Sequence, residues 1–148
     1  MPRWITEQIA TGGATISPDN WNEFAEKMGI TAMVNLRAEY QDVFAAPLPV
    51  AYLWLPVEDH KDPTPEQMLT GVQFVHAAVQ AGQRVFIHCK MGIGRSPTLA
   101  AAYLIWTGVP IYEAIRKVEA TQLLYGPVVS RFTLDKFAAL LEKNRGIA

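Results

Sequence analysis

The sequence predicts an α/β fold: a mainly parallel central sheet flanked by helices on both faces. Three observations carry that expectation. Short apolar runs at 31–36, 50–55 and 84–87 have the length and composition of buried strands. Other stretches repeat apolar residues at i, i+3, i+4 and i+7, the spacing of one helix face. The two kinds alternate along the chain, which calls for right-handed crossovers between parallel strands. With 148 residues, and no repeat or linker, the chain fits a single domain over 1–148.

Residues 3–10 show partial alternation before Gly12-Gly13 and read as a short edge strand or two. Ser17-Pro18 then opens a helix carrying Trp21, Phe24, Ala25 and Met28, closed by Gly29. Thr31 to Leu36 is a strand apolar enough to be buried on both faces. Arg37 and Glu39 follow it. Arg37 reads as a solvated loop charge, with a role steadying loops at the strand ends as the alternative. A proline-marked connection, Ala45 to Pro49, leads to the strand Val50 to Leu55. Pro56 to Pro65, rich in carboxylates and prolines and without periodicity, is an exposed loop. Thr64-Pro65 starts a helix with Met68, Val72, Val75 and Val79 on one face, ended by Gly82. Arg84 to Ile87 is the next strand. The helix after Ser96 is apolar almost all round and belongs at the centre of the molecule. Gly108 and Pro110 end it; a further helix carries Ile111, Ala114, Ile115 and Val118. After Gly126-Pro127 a last helix presents Leu134, Phe137, Ala138 and Leu141.

Composition excludes several classes of function. Half the residues are apolar, which excludes a disordered chain, and a net charge of −1 argues against broad nucleic-acid binding. One cysteine allows no internal disulfide, and the three histidines lack zinc-ligand spacing beside it. Met1 to Trp4 has no apolar signal-like stretch, and the longest apolar run, Leu99 to Trp106, is too short to cross a bilayer. The expectation is a cytoplasmic monomer with no membrane insertion, no metal and no cofactor.

The stretch that carries chemistry runs from Arg84 to Pro97: a buried strand, a glycine-bearing loop, and a helix start. Gly92 and Gly94 allow positive φ, so backbone N–H groups of the loop are free to point inward and cradle an anion. Ser96 before Pro97 is a hydroxyl cap on a proline-led helix, whose positive end would face that anion. Cys89 at the loop entrance would be stabilised as a thiolate by the same N–H groups. Arg95 at its exit offers a planar fork that matches two phosphoryl oxygens. In a parallel sheet, the loops after Leu36, Leu55 and Ile87 share one end, which brings the acidic loop towards Cys89.

His88-Cys89-(five residues)-Arg95-Ser96 resembles the signature loop of the cysteine-dependent protein tyrosine phosphatases, and the short chain is most similar to their compact dual-specificity branch. The resemblance implies a protein tyrosine phosphatase-like fold and a metal-independent phosphomonoester hydrolase. Cys89 would be the nucleophile and form a cysteinyl-phosphate. The amides of Lys90, Met91, Gly92, Ile93, Gly94 and Arg95, with the Arg95 guanidinium, would hold the phosphoryl group. A general acid is implied in a loop about thirty residues before the cysteine. Asp59, four residues before Pro63, is favoured; Asp62 is the alternative and Glu58 a third candidate. Ser96 would assist the sulfur as it leaves. His88 would bond backbone near the sulfur rather than act as a base. His60 reads as a solvated loop residue, His76 as surface, and Gln122 as a remote candidate for positioning water.

A phosphorylated protein or peptide is the implied substrate, with phosphotyrosine favoured. Lipid-directed relatives tend to carry a second lysine where Ile93 stands, which lowers a phosphoinositide reading without removing it. The remaining alternatives are another small phosphate ester, a phosphate-binding module without catalysis, and a sulfurtransferase. The arginine six positions after the cysteine fits phosphate better than a persulfide.

Overall fold

A computed structural model of the chain describes residues 2–122 and 127–145. Its one sheet has five strands: β1 (Arg3–Trp4), β2 (Ile9–Gly13), β3 (Ile30–Arg37), β4 (Ala51–Val57) and β5 (Arg84–Cys89), in the order β1-β2-β5-β3-β4. β2, β5, β3 and β4 are parallel, and only β1 runs antiparallel, against β2. The mainly parallel α/β sheet is thus the one expected. The N-terminal segment divides: β1 is an edge strand, as expected. β2 is not an edge strand but pairs along its whole length with β5, ending with Gly13 opposite Cys89.

Among the described residues there are four α-helices: α1 (Pro65–Gln80), α2 (Arg95–Trp106), α3 (Ile111–Glu119) and α4 (Arg131–Asn144). Thr64 and Gln67 form a reciprocal capping box at the start of α1, so the turn after the acidic loop is fixed by two hydrogen bonds. α2 is buried from Arg95 to Leu104 and packs against α1, α3 and α4, as its all-round apolar composition requires. Gly126, placed before the last helix by the sequence, lies outside the described residues.

Helical cover is unequal between the two faces. All four α-helices contribute to one core, with Val34, Val85 and Ile87 of the sheet beneath them. The other face holds a smaller aromatic core of Trp21, Phe24, Phe44, Tyr52 and Phe86. There the expected helix after Ser17-Pro18 is a turn followed by a π-helical segment, Glu23–Lys27, before Gly29 reverses the chain at φ 67°. The stack of Phe24 on Phe86, 5.2 Å between centroids, and the edge contact of Trp21 with Phe44, 4.9 Å, hold this face.

Candidate active site

The carboxyl ends of β2, β3, β4 and β5 converge; Cys89, the loop after it and the candidate acids come from these ends or the loops beyond them, and Arg95 and Ser96 open α2. Cys89 ends β5 and is 1% exposed. Its Sγ lies 3.2 Å from Ser96 Oγ, which also donates towards the Gly12 carbonyl at 3.4 Å. Ser96 does not cap the helix as its sequence position implied. α2 starts two residues earlier, with Gly94 at the N-cap and no side-chain cap bond, because the Ser96 hydroxyl is drawn inward to the sulfur.

Arg95 is 3% exposed, and its fork is already engaged. Nη1 donates to Glu39 Oε1 at 2.9 Å and to the Val57 carbonyl at 2.8 Å; Nη2 donates to Glu39 Oε2 at 3.2 Å and to Asp59 Oδ1 at 3.3 Å. The planar match that the sequence assigned to phosphoryl oxygens is here made to a carboxylate. The hydrogen bonds from Arg95, chiefly, pull the Glu39 carboxyl down to about 2 from 4.5, against the opposing effect of burial. Glu39 therefore stays ionised at working pH and is no proton donor. Burial works against the charge on Arg95. Glu39, with the charges of Cys89 and Asp59, outweighs it and raises the arginine's pKa.

Arg37 is not a solvated loop charge. A register irregularity between Asn35 and Arg37 turns the end of β3 inward, and Arg37 is 7% exposed. It donates to the Ala14 carbonyl at 2.9 Å, Thr15 Oγ1 at 2.7 Å and Glu39 Oε2 at 3.1 Å. It thus ties the loop after β2 to the carboxylate that holds Arg95. Glu39 carried no signal of its own in the sequence beyond its place just past a parallel strand.

His88 also differs from expectation. Its Nε2 lies 2.7 Å from Asp42 Oδ2, both side chains fully buried, rather than on backbone near the sulfur. Its ring stacks on Phe86. Nothing in the sequence marked Asp42, 46 residues away, as its partner. His76 is half-buried, edge-on to Trp106 at 4.8 Å, and not a surface residue. His60 is solvated, as read, at φ 65° beside Asp59.

The two leading carboxyls separate clearly. Asp59 faces Arg95, whereas Asp62 Oδ2 accepts the Thr133 hydroxyl at 2.7 Å and fastens the loop to the start of α4. A cleft of about 360 Å³ lies between Asp59, His60, Lys61 and Asp62 on one side and Met91, Ile93, Gly94 and Arg95 on the other. Lys90 is exposed.

The loop backbone is not uniformly turned towards the sulfur. The Gly94 N–H donates to the Val128 carbonyl at 3.0 Å, and the Ile93 carbonyl lies 4.0 Å from Cys89 Sγ. This one peptide shows the sulfur its oxygen, contrary to the expectation for the Gly94 amide. Gly94, at φ 90°, occupies backbone space open to glycine. Gln122 is 2% exposed and donates to the Gly92 carbonyl at 3.2 Å.

Residues 16–124 match the profile of the family described as dual specificity phosphatase, catalytic domain. The chain is 34% identical over 107 residues to dual specificity protein phosphatase 1 of Homo sapiens, an alignment covering 71% of this chain and 29% of that protein. It thus spans less than a third of that relative's length. It is 28% identical over 124 residues to the phosphatidylglycerophosphate phosphatase PTPMT2 of Arabidopsis thaliana, covering 78% of this chain and 54% of the relative. Among solved structures, Tk-PTP in its active form superposes with a TM-score of 0.78 at 24% identity, covering 96% of each chain. PTPMT1 superposes with a TM-score of 0.80 at 21% identity over the whole of both chains.

Proposed function

The chain belongs to the dual specificity phosphatase catalytic-domain family, and from that premise we propose that residues 1–148 form one catalytic domain hydrolysing phosphomonoesters through Cys89. The observation that carries the reading is the convergence of sulfur, guanidinium and carboxyl, from β5, α2 and the loop after β4, at one end of the sheet. Cys89 Sγ attacks phosphorus, forming an S–P bond as the P–O bond to the leaving group breaks. Arg95 and the loop amides balance the charge on the transferring oxygens, and phosphoryl transfer depends mostly on such positioning. Phosphate entry requires the Ile93–Gly94 peptide to turn its N–H inward and Arg95 to exchange a carboxylate contact for the phosphoryl group.

Asp59 supplies the proton to the leaving oxygen. Water then attacks phosphorus, its proton passes to Asp59, and the S–P bond breaks with the Ser96 hydroxyl donating to the thiolate. Asp62, committed to Thr133, is the less suited of the two.

Phosphorylated protein, with phosphotyrosine favoured, is the proposed substrate, and the chain acts as a cytoplasmic monomer. No helix among the described residues is long and apolar enough to cross a membrane. A second reading keeps the chemistry and changes the substrate to a lipid or small phosphate ester. The relative named for phosphatidylglycerophosphate favours it, since it aligns over 78% of this chain against 71% for dual specificity protein phosphatase 1.

The test is hydrolysis of a chromogenic aryl phosphate in chelator from pH 4 to 8. Activity lost in Cys89→Ser is the expected result. Equal activity in the variant removes the cysteine mechanism. Phosphorylated peptides and lipids, compared at equal concentration, then separate the two substrate readings.

A further inference from the structure

The Gly92 carbonyl receives two side-chain donors, both from outside its loop. Arg3 Nη2, on β1, lies 3.2 Å from it, and Gln122 Nε2, just past α3, also 3.2 Å. Arg3 is 89 positions away in the chain. Arg3 Nε and Gln122 Oε1 are buried with no partner among the described residues. Leaving those atoms unpaired costs free energy, and the contact both residues share is this one carbonyl. The packing beneath it is close. A Cβ on Gly92, at φ 74°, would run into Arg3 Nη2 and sit 2.8 Å from the backbone of Gly12 and Gly13. A Cβ on Gly13 would sit 2.5 Å from the Lys90 carbonyl. The β1–β2 hairpin is therefore the floor of the loop.

In a trans peptide the carbonyl and the following N–H point opposite ways. Holding the Gly92 oxygen on the hairpin side directs the Ile93 N–H away from the hairpin, and Ile93 lines the cleft. The next peptide makes the contrast, since its N–H is spent on Val128. We propose that Arg3 is a positioning residue of the phosphate-binding loop, clamping the Gly92 carbonyl with Gln122 so that the Ile93 N–H is preset to receive an anion. The inference deepens the phosphatase reading and rests on it. Residues 2–15, which contain β1 and β2, lie outside the span that matches the family profile.

Inorganic phosphate binding to the whole chain, measured by calorimetry, tests it independently of turnover. Arg3→Met is expected to weaken phosphate about tenfold, the scale of one charge-assisted hydrogen bond. Arg3→Lys, which keeps a donor and the charge, is expected to recover most of that loss. Arg84→Met serves as control, because Arg84 stacks on Trp4 of the same hairpin at 4.7 Å without touching the loop; its affinity should match wild type. Should Arg3→Met fail to fold, Gln122→Met reads the same carbonyl and is expected to weaken phosphate in the same direction. Unchanged affinity in a folded Arg3→Met protein overturns the proposal, as does an equal loss in Arg84→Met. A wild-type chain that binds no phosphate fails the phosphatase reading and this inference together, whereas the other outcomes fail this one alone.

Discussion

The Cys89–Ser96 loop and the Glu58–Thr64 loop face each other across one cleft and are held in opposite ways. In the first, Cys89, Arg95 and Ser96 are at most 3% exposed, and Arg95 alone reaches Glu39, Val57 and Asp59. In the second, every residue from Glu58 to Asp62 is exposed, and Asp62–Thr133 and Asp59–Arg95 are its side-chain ties to the rest of the site. A cradle for a transferring phosphoryl group gains from donors held near their working positions, and here the Ile93–Gly94 peptide and one Arg95 contact are what phosphate entry has to change. A proton donor must admit substrate and let the leaving group go, which fits a segment with few contacts. The two loops divide the work as their burial divides.

The sharpest way to break that division is Arg95→Lys. A single ammonium cannot reproduce the fork, so kcat/KM should fall about a thousandfold and vanadate inhibition should weaken with it. Retained vanadate affinity would mean that the cradle does not depend on Arg95. Asp59→Asn should act on the other side only. kcat/KM, which reports the first step alone, should fall about a hundredfold for a poor leaving group and little for a nitrophenolate, with phosphate affinity unchanged. The same pattern in Asp62→Asn instead would reassign the acid.

Glu39→Gln probes how the cradle is held. The Glu39 carboxyl titrates near 2 in the fold rather than at 4.5, so its stabilising contribution is complete above about pH 4.5 and fades as pH falls towards 2. Denaturant unfolding should show wild type more stable than Glu39→Gln by a constant margin from about pH 5 upward, shrinking below that. A margin independent of acid would dissociate Glu39 from Arg95. The smallest effect belongs to Thr133→Val, which removes the tether of Asp62 and should cost about 1 kcal/mol in unfolding with kcat nearly unchanged.

What was legible in the sequence follows the same contrast. Cys89, the loop glycines and Arg95 lie within seven residues, so strand, loop and helix state their relation locally. The groups that hold them do not. Glu39 meets Arg95 across 56 residues, Asp42 meets His88 across 46, and Arg3 meets Gly92 across 89. Such pairings depend on strand order, and β5 enters between β2 and β3 only once the chain has folded. Residues 3–10 read as a short edge because their alternation is partial and stops before Gly12-Gly13, yet small residues there are what contact with the Lys90–Gly92 backbone demands. Two duties were legible for Ser96, a cap and a hydroxyl near the sulfur; the cap bond is not made, and the hydroxyl lies 3.2 Å from the sulfur.

The most direct test of the divided site is to mix Asp59→Asn with a nitrophenyl phosphate, quench in acid within one turnover, and locate phosphate by peptide mass. With a good leaving group the first step needs no proton donor, while hydrolysis of the intermediate does need Asp59 as base. Phosphate should accumulate on Cys89 in Asp59→Asn and not in Asp62→Asn. An unmodified Cys89 in both variants, or accumulation in Asp62→Asn alone, would contradict the assignment of these two loops.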